Sequence, residues 1–177
     1  PVRAGSWMAI GTLLKVWPIL GLLAFPKPTW KRLGVGFIST SIVLMTMLHM
    51  WWADSLNFIQ GQKSRGLQIE SLGALPYMLH NAGSAVVTTN FQFGAIEVIA
   101  PATQYVNMGI TLVFLIFLSI LALMRLRGLL ETVAPSHVML LIVLMSMLTS
   151  RVLSPQYNLW VLGLLAVAAF DAMPHFR

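Results

Sequence analysis

The chain has 177 residues, of which 58% are hydrophobic and 9% charged, against about 25% charged in a typical soluble domain. With a mean hydropathy of +0.82, this excludes an ordinary soluble globule and predicts an all-α polytopic membrane protein. The net charge of +6 is not gathered into a basic stripe with interleaved aromatics, which argues against nucleic acid as a partner, and the absence of cysteine excludes disulfides, thiolate catalysis and cysteine metal sites.

Five apolar runs are separate and each near the length that crosses a bilayer, at 7–25, 33–53, 105–124, 133–150 and 157–173. The first begins almost at the N-terminus and holds Lys15 and Pro18, so the chain reads as a single transmembrane domain and as a C-terminal piece of a longer protein. Pro26-Lys27-Pro28 ends that run, because proline stops a helix and restricts the residue before it. The second run closes on Trp51-Trp52, at home at headgroup level. The long connection at 54–104 is the polar part of the chain. Ser64 suits the cap of a short helix starting near Arg65. Leu72, Leu75 and Leu79 give that helix one apolar side for lying in the interface, and Pro76 should kink or end it. The β-branched runs 85–89 and 96–99 flank Gly94 and predict a small hairpin.

Charge assigns the sides. Lys27, Lys31 and Arg32 share one short loop, and Arg125 and Arg127 another. Positive loops stay in the cytoplasm, so 54–104 and 151–156 are expected together on the extracytoplasmic side of the membrane.

Several residue types there suit an anionic, hydroxyl-rich ligand. Lys15 is costly inside an apolar segment, which leaves two readings in balance, a functional role and a lysine reaching out along its stem to the interface. Arg65, Gln68 and Glu70 form a polar island: arginine clamps phosphate with paired hydrogen bonds, and amides and carboxylates bind sugar hydroxyls. Their plain alternative is a surface ion pair with a helix start. Arg151, Gln156 and Tyr157 lie in the turn between the last two runs, where Ser154-Pro155 and a belt tyrosine are equally good as structure. Asp54 reads as a solvated span-end charge, and His49 as a residue bonded to a neighbouring helix. His80, His137 and His175 are too scattered for a ligand set, and no metal or phosphate-loop motif occurs. Gly34 and Gly36 are of the size that lets helices approach.

Three elements occur in order: Lys15-Val16-Trp17-Pro18, Arg65-Gly66-Leu67-Gln68-Ile69-Glu70-Ser71, and Ser154-Pro155-Gln156-Tyr157-Asn158-Leu159-Trp160. The set resembles the C-terminal part of bacterial, especially actinobacterial, multi-pass glycosyltransferases of the GT-C superfamily, nearest to the family 87 mannosyltransferase-like proteins. That resemblance implies a hexosyltransferase taking sugar, often mannose, from a polyprenyl-phosphate donor to a lipid or glycan acceptor, with no cofactor or metal. It implies substrate binding by Lys15, Arg65, Gln68, Glu70, Arg151, Gln156 and Tyr157, with Arg151 standing where the family often has lysine. The family's catalytic aspartate lies in a first extracytoplasmic loop that nothing here matches, so the resemblance puts the general base upstream, in the N-terminal remainder of the same protein. Two other functions stay open on the residues: a transporter or flippase, which would show inverted repeats and broken helices, and a non-catalytic subunit of an envelope complex.

Overall fold

The computed structural model describes residues 1–52, 65–80 and 87–173. Helix α1 spans Val2–Leu14 and a 3-10 segment follows at Trp17–Ala24. Helix α2 is Trp30–Trp51, entered through a 3-10 turn at Lys27–Thr29. Strand β1 (Leu67–Gln68) leads through a second 3-10 turn at Leu72–Ala74 into the short helix α3, Leu75–His80. Strands β2 (Thr88–Gln92) and β3 (Ala95–Ile99) come next, then α4 (Thr103–Leu126), α5 (Pro135–Leu148) and α6 (Tyr157–Ala172).

The helical class is as the composition predicts, but five uniform spans are not what forms. Among the described residues, two helical stretches are long and apolar enough to cross a membrane, Lys27–Trp51 and Thr103–Leu126. Of the most apolar stretch of each, only 11% and 6% respectively is buried within the protein. Side chains such as Ile38, Ile42, Leu112 and Ile116 stand open on these helices, an arrangement suited to hydrocarbon and costly in water. Helices α5 and α6 have 14 and 16 residues, or about 21 and 24 Å at 1.5 Å per residue, short of a hydrocarbon core of about 30 Å.

The expected first span at 7–25 is broken. Helix α1 stops at Leu14, and Lys15 turns extended at φ −153°, ψ 134° while its N–H still donates to the Gly11 carbonyl at 2.8 Å. Pro18 then sits at the start of the 3-10 segment, where a missing N–H costs least. Lys15 therefore does not lie within a continuous helix; it is exposed at the break.

Glycine sets how α1 meets α2. A Cβ on Gly5 would run into the Leu33 carbonyl, and one on Gly36 into the Val2 carbonyl. Gly34 faces open space and plays no such part. Arg125 corrects a second expectation. It is fully buried rather than a loop cation, and its guanidinium donates to the carbonyls of Leu23 (3.0 Å), Ala24 (2.7 Å) and Leu130 (2.8 Å). It thus supplies donors to the open C-terminal end of the 3-10 segment, beside a core of Ala24, Leu121, Leu130, Val138 and Ile142. Lys27 donates through Nζ to the Leu126 carbonyl at the same end of α4.

The polar connection folds as a three-stranded antiparallel sheet in the order β1-β3-β2. The expected hairpin is β2–β3, its turn made by Phe93 (φ 52°) and Gly94 (φ 76°). Two successive positive φ values match the twist of the flanking strands. Strand β1 was not anticipated. Residues from Arg65 start as strand and turn rather than helix, and Pro76 lies in the first turn of α3 instead of ending it. Leu67 and Val98 pair across the sheet and bury one face with Ala74, packed on by Val106 and Ile110 of α4. Asp54, Ser64, His175 and part of the expected strand 85–89 lie outside the described residues.

Candidate functional site: a cationic cavity

The break at Lys15, the start of β1 and the α5–α6 turn converge on one cavity of about 490 Å³. Its walls include Lys15, Arg65, Arg151, Ser154, Gln156 and Tyr157. Three cations from segments 50 to 136 positions apart in sequence are thus brought to one space. Mutual repulsion makes such a gathering unfavourable unless an anion or an acidic group faces it.

Each cation is held differently. Lys15 Nζ lies 4.9 Å from the ring centre of Tyr157 and 5.3 Å from that of Trp160, and donates weakly to Tyr157 Oη at 3.5 Å. Tyr157 and Trp160 stack at 4.4 Å with their planes 16° apart, and Trp17 leans on Trp160 at 5.5 Å. An aromatic shelf of this kind holds an ammonium by about 0.5–2 kcal/mol and leaves its donors available. Arg65 is half-buried, its guanidinium carbon 5.6 Å from the Phe93 ring centre. Its Nε is buried with no hydrogen-bond partner among the described residues. Arg151 is placed through its backbone: its carbonyl accepts from the Gln68 N–H at 3.0 Å.

Gln68 ties the two distant loops together. Besides that backbone bond, its side-chain Oε1 accepts from the Leu153 N–H at 3.0 Å, and the residue is buried. Ser71 Oγ donates to the Gln68 carbonyl at 2.7 Å and fixes the turn after it. The Gln68 side chain therefore positions the Arg151 segment and does not line the cavity. Glu70 is exposed and not among the residues lining it.

Two apolar grooves adjoin the cavity, each sharing one of its cations. Arg151 also lines a groove of about 620 Å³ along α4, with Gln104, Asn107, Met108, Leu112 and Leu115. Lys15 also lines one of about 390 Å³ with Trp7, Met8, Trp17, Met139 and Trp160. The groove residues on α4 recur every three or four positions, which is one face of a helix. Sequence reasoning missed both grooves, because an apolar face that will be lined and one that will be covered have the same pattern. It also missed Glu97, which lay unremarked within the 96–99 run; the structure buries it beside Gly66. The only signal was a carboxylate inside an otherwise β-branched strand.

His49 is exposed in the last turn of α2. Among the described residues no cluster of three or more His, Cys, Asp or Glu side chains is arranged to hold a metal. No protein-family model, curated protein or solved structure matches the chain.

Proposed function

We propose that this chain is the carrier-binding part of an integral-membrane glycosyltransferase of the GT-C type, a hexosyltransferase using a polyprenyl-phosphate sugar as donor. The observation that carries the reading is the convergence of Lys15, Arg65 and Arg151 on one cavity that continues into apolar grooves. That is the shape of a receptor for a lipid with an anionic head. Arginine and lysine would hold the phosphate, and a groove the isoprenoid chain.

The chemistry follows from the charges. The bond between the anomeric carbon and the phosphate oxygen breaks, and the acceptor hydroxyl oxygen bonds to that carbon from the opposite side. The carrier departs as a phosphate monoester, gaining negative charge as the bond lengthens. Fixed cations lining the cavity stabilise that charge more than they stabilise the diester before reaction. The acceptor's proton passes to a general base, which the resemblance locates upstream of Pro1. Gln156 and Tyr157 add side chains able to bond hydroxyls at the rim of the same space.

The charge arrangement supports a multi-pass location in a bacterial inner membrane. The groove that shares Arg151 with the cavity starts at the first turns of α4, while Lys27 donates to the Leu126 carbonyl at the last turn of that helix. The start of that groove at Gln104 and the Lys27 contact at Leu126 are therefore separated by most of α4, about 33 Å at 1.5 Å per residue, which supports opposite membrane faces. The test is sugar transfer by the full-length protein from a labelled polyprenyl-phosphate donor. Transfer that falls in Arg65→Ala and Arg151→Ala supports the reading, and normal activity and carrier affinity in both would end it.

A second reading, as a transporter or flippase, is favoured by one observation, the helix break at Lys15 to Pro18. It predicts movement of the lipid between leaflets without sugar transfer, which the same labelled donor reports in sealed vesicles.

A further inference from the structure

Glu97 lies on the central strand β3, outside the lining of the cationic cavity. It is 6% exposed, and its Oε1 is buried with no hydrogen-bond partner among the described residues. A buried polar atom without a partner costs about 1–3 kcal/mol, more when charged. Native proteins keep few such atoms, and an unmade bond often marks a place where something binds.

The sheet shows where that carboxylate faces. Glu97 on the central strand is paired with Gln68 on one side and Asn90 on the other. Side chains of directly paired residues project from the same face. One face of the sheet therefore carries a row of two amides and a carboxylate, Gln68, Glu97 and Asn90. The other carries Leu67 and Val98 into the apolar core. The Gln68 side chain reaches Leu153, so the polar face is turned toward the Arg151 segment that walls the cavity. Gly66 makes room for the acid: a Cβ there would stand 2.6 Å from Glu97 Oε2. Its neighbour Arg65 brings an unpartnered buried Nε to the same edge.

A buried carboxylate acceptor and a buried guanidinium donor, both without a hydrogen-bond partner among the described residues, with the Asn90 amide on the same sheet face and Phe93 against Arg65, are complementary to a hydroxyl group that donates to one and accepts from the other. A ring with neighbouring hydroxyls uses several such positions together, whereas the phosphodiester of a sugar donor has no proton to give Glu97 and carries the same sign of charge as a carboxylate. We infer that the polar face of the sheet around Glu97 is a pyranose-binding subsite, beside the cationic cavity and chemically distinct from it. The inference deepens the proposed function and rests on it for the source of the sugar. Glu97 takes hydroxyl hydrogen bonds there, and Gly66 fixes the carboxylate's place.

The experiment uses the full-length protein in lipid nanodiscs and soluble probes, so that the subsite is read without the carrier. Methyl α-mannopyranoside, methyl α-glucopyranoside and cyclohexanol are titrated by saturation-transfer NMR against wild type, Glu97→Gln and Gly66→Ala. Gly66→Ala is the second arm because the obstructing atom is the end of a flexible side chain, so the carboxylate shifts while the backbone stays. At least one glycoside should bind wild type more tightly than cyclohexanol, and both variants should lose about tenfold of that affinity. Polyprenyl phosphate lacking sugar should bind all three proteins equally. Glycosides no better than cyclohexanol, or binding unchanged in folded Glu97→Gln and Gly66→Ala, would overturn the subsite. Failure of polyprenyl phosphate to bind wild type would instead overturn the carrier reading, with the glycoside titrations still deciding the subsite.

Discussion

Replacing Gln68 by leucine should weaken carrier binding although the Gln68 side chain does not line the cavity. Leucine keeps most of the volume and removes the acceptor for the Leu153 N–H, a bond of 3.0 Å at a buried position. The backbone bond from Gln68 to the Arg151 carbonyl, also 3.0 Å, survives the change. One of two ties between the loops is lost, and a half-buried N–H is left open, which costs about 1–3 kcal/mol. If that cost falls on the arrangement that presents Arg151, the same energy appears as a loss of about 5- to 150-fold in affinity. The assay is polyprenyl-phosphate binding in nanodiscs, read beside thermal unfolding. Glu70→Ala is the control, since Glu70 is exposed and apart from the cavity walls; it should change affinity by less than about twofold, as surface substitutions do. The reasoning fails if Gln68→Leu leaves binding and melting unchanged, or if Glu70→Ala proves the more damaging of the two.

Other expectations follow from single contacts. Arg125→Met strips donors from three carbonyls and should destabilise the protein by about 3 kcal/mol or more, measured as unfolding in mild detergent. Lys15→Arg should retain carrier binding within about threefold, and Lys15→Ala should lose about tenfold, because the aromatic shelf accepts either cation but cannot replace it. Gly36→Val must push α1 off α2 at the Val2 carbonyl and should cost about 1–3 kcal/mol, whereas Gly34→Val meets open space and should melt as wild type does.

How far residues alone reach is clearest where two readings compete. The α2 and α4 spans follow from apolar length, and their edges fall within a few residues of the expected ones. The hairpin followed from β-branched runs around Gly94, with its strands set a few residues off the first of those runs. Lys15 was visible as an anomaly, yet hydropathy averages over the break that Pro18 and the extended Lys15 make. Arg125 has the same composition signal as a loop arginine; only the position of carbonyls about 100 residues earlier reveals that it is buried. Arg65 and Arg151 could be named as cations on one side of the chain, but their meeting depends on Gln68 bridging two loops. That bond leaves no local pattern. Glu97 was hidden for the same reason, since its partners in the sheet come from two separate strands.

The most direct measurement is the dissociation constant of polyprenyl phosphate for the full-length protein, compared among wild type, Arg65→Ala, Arg151→Ala and the double variant. Each single change should weaken binding by about 10- to 100-fold, as the loss of a charge-assisted hydrogen bond does, with the two effects less than additive because both side chains meet one phosphate. Undiminished affinity in the double variant, with the protein folded, would contradict the account.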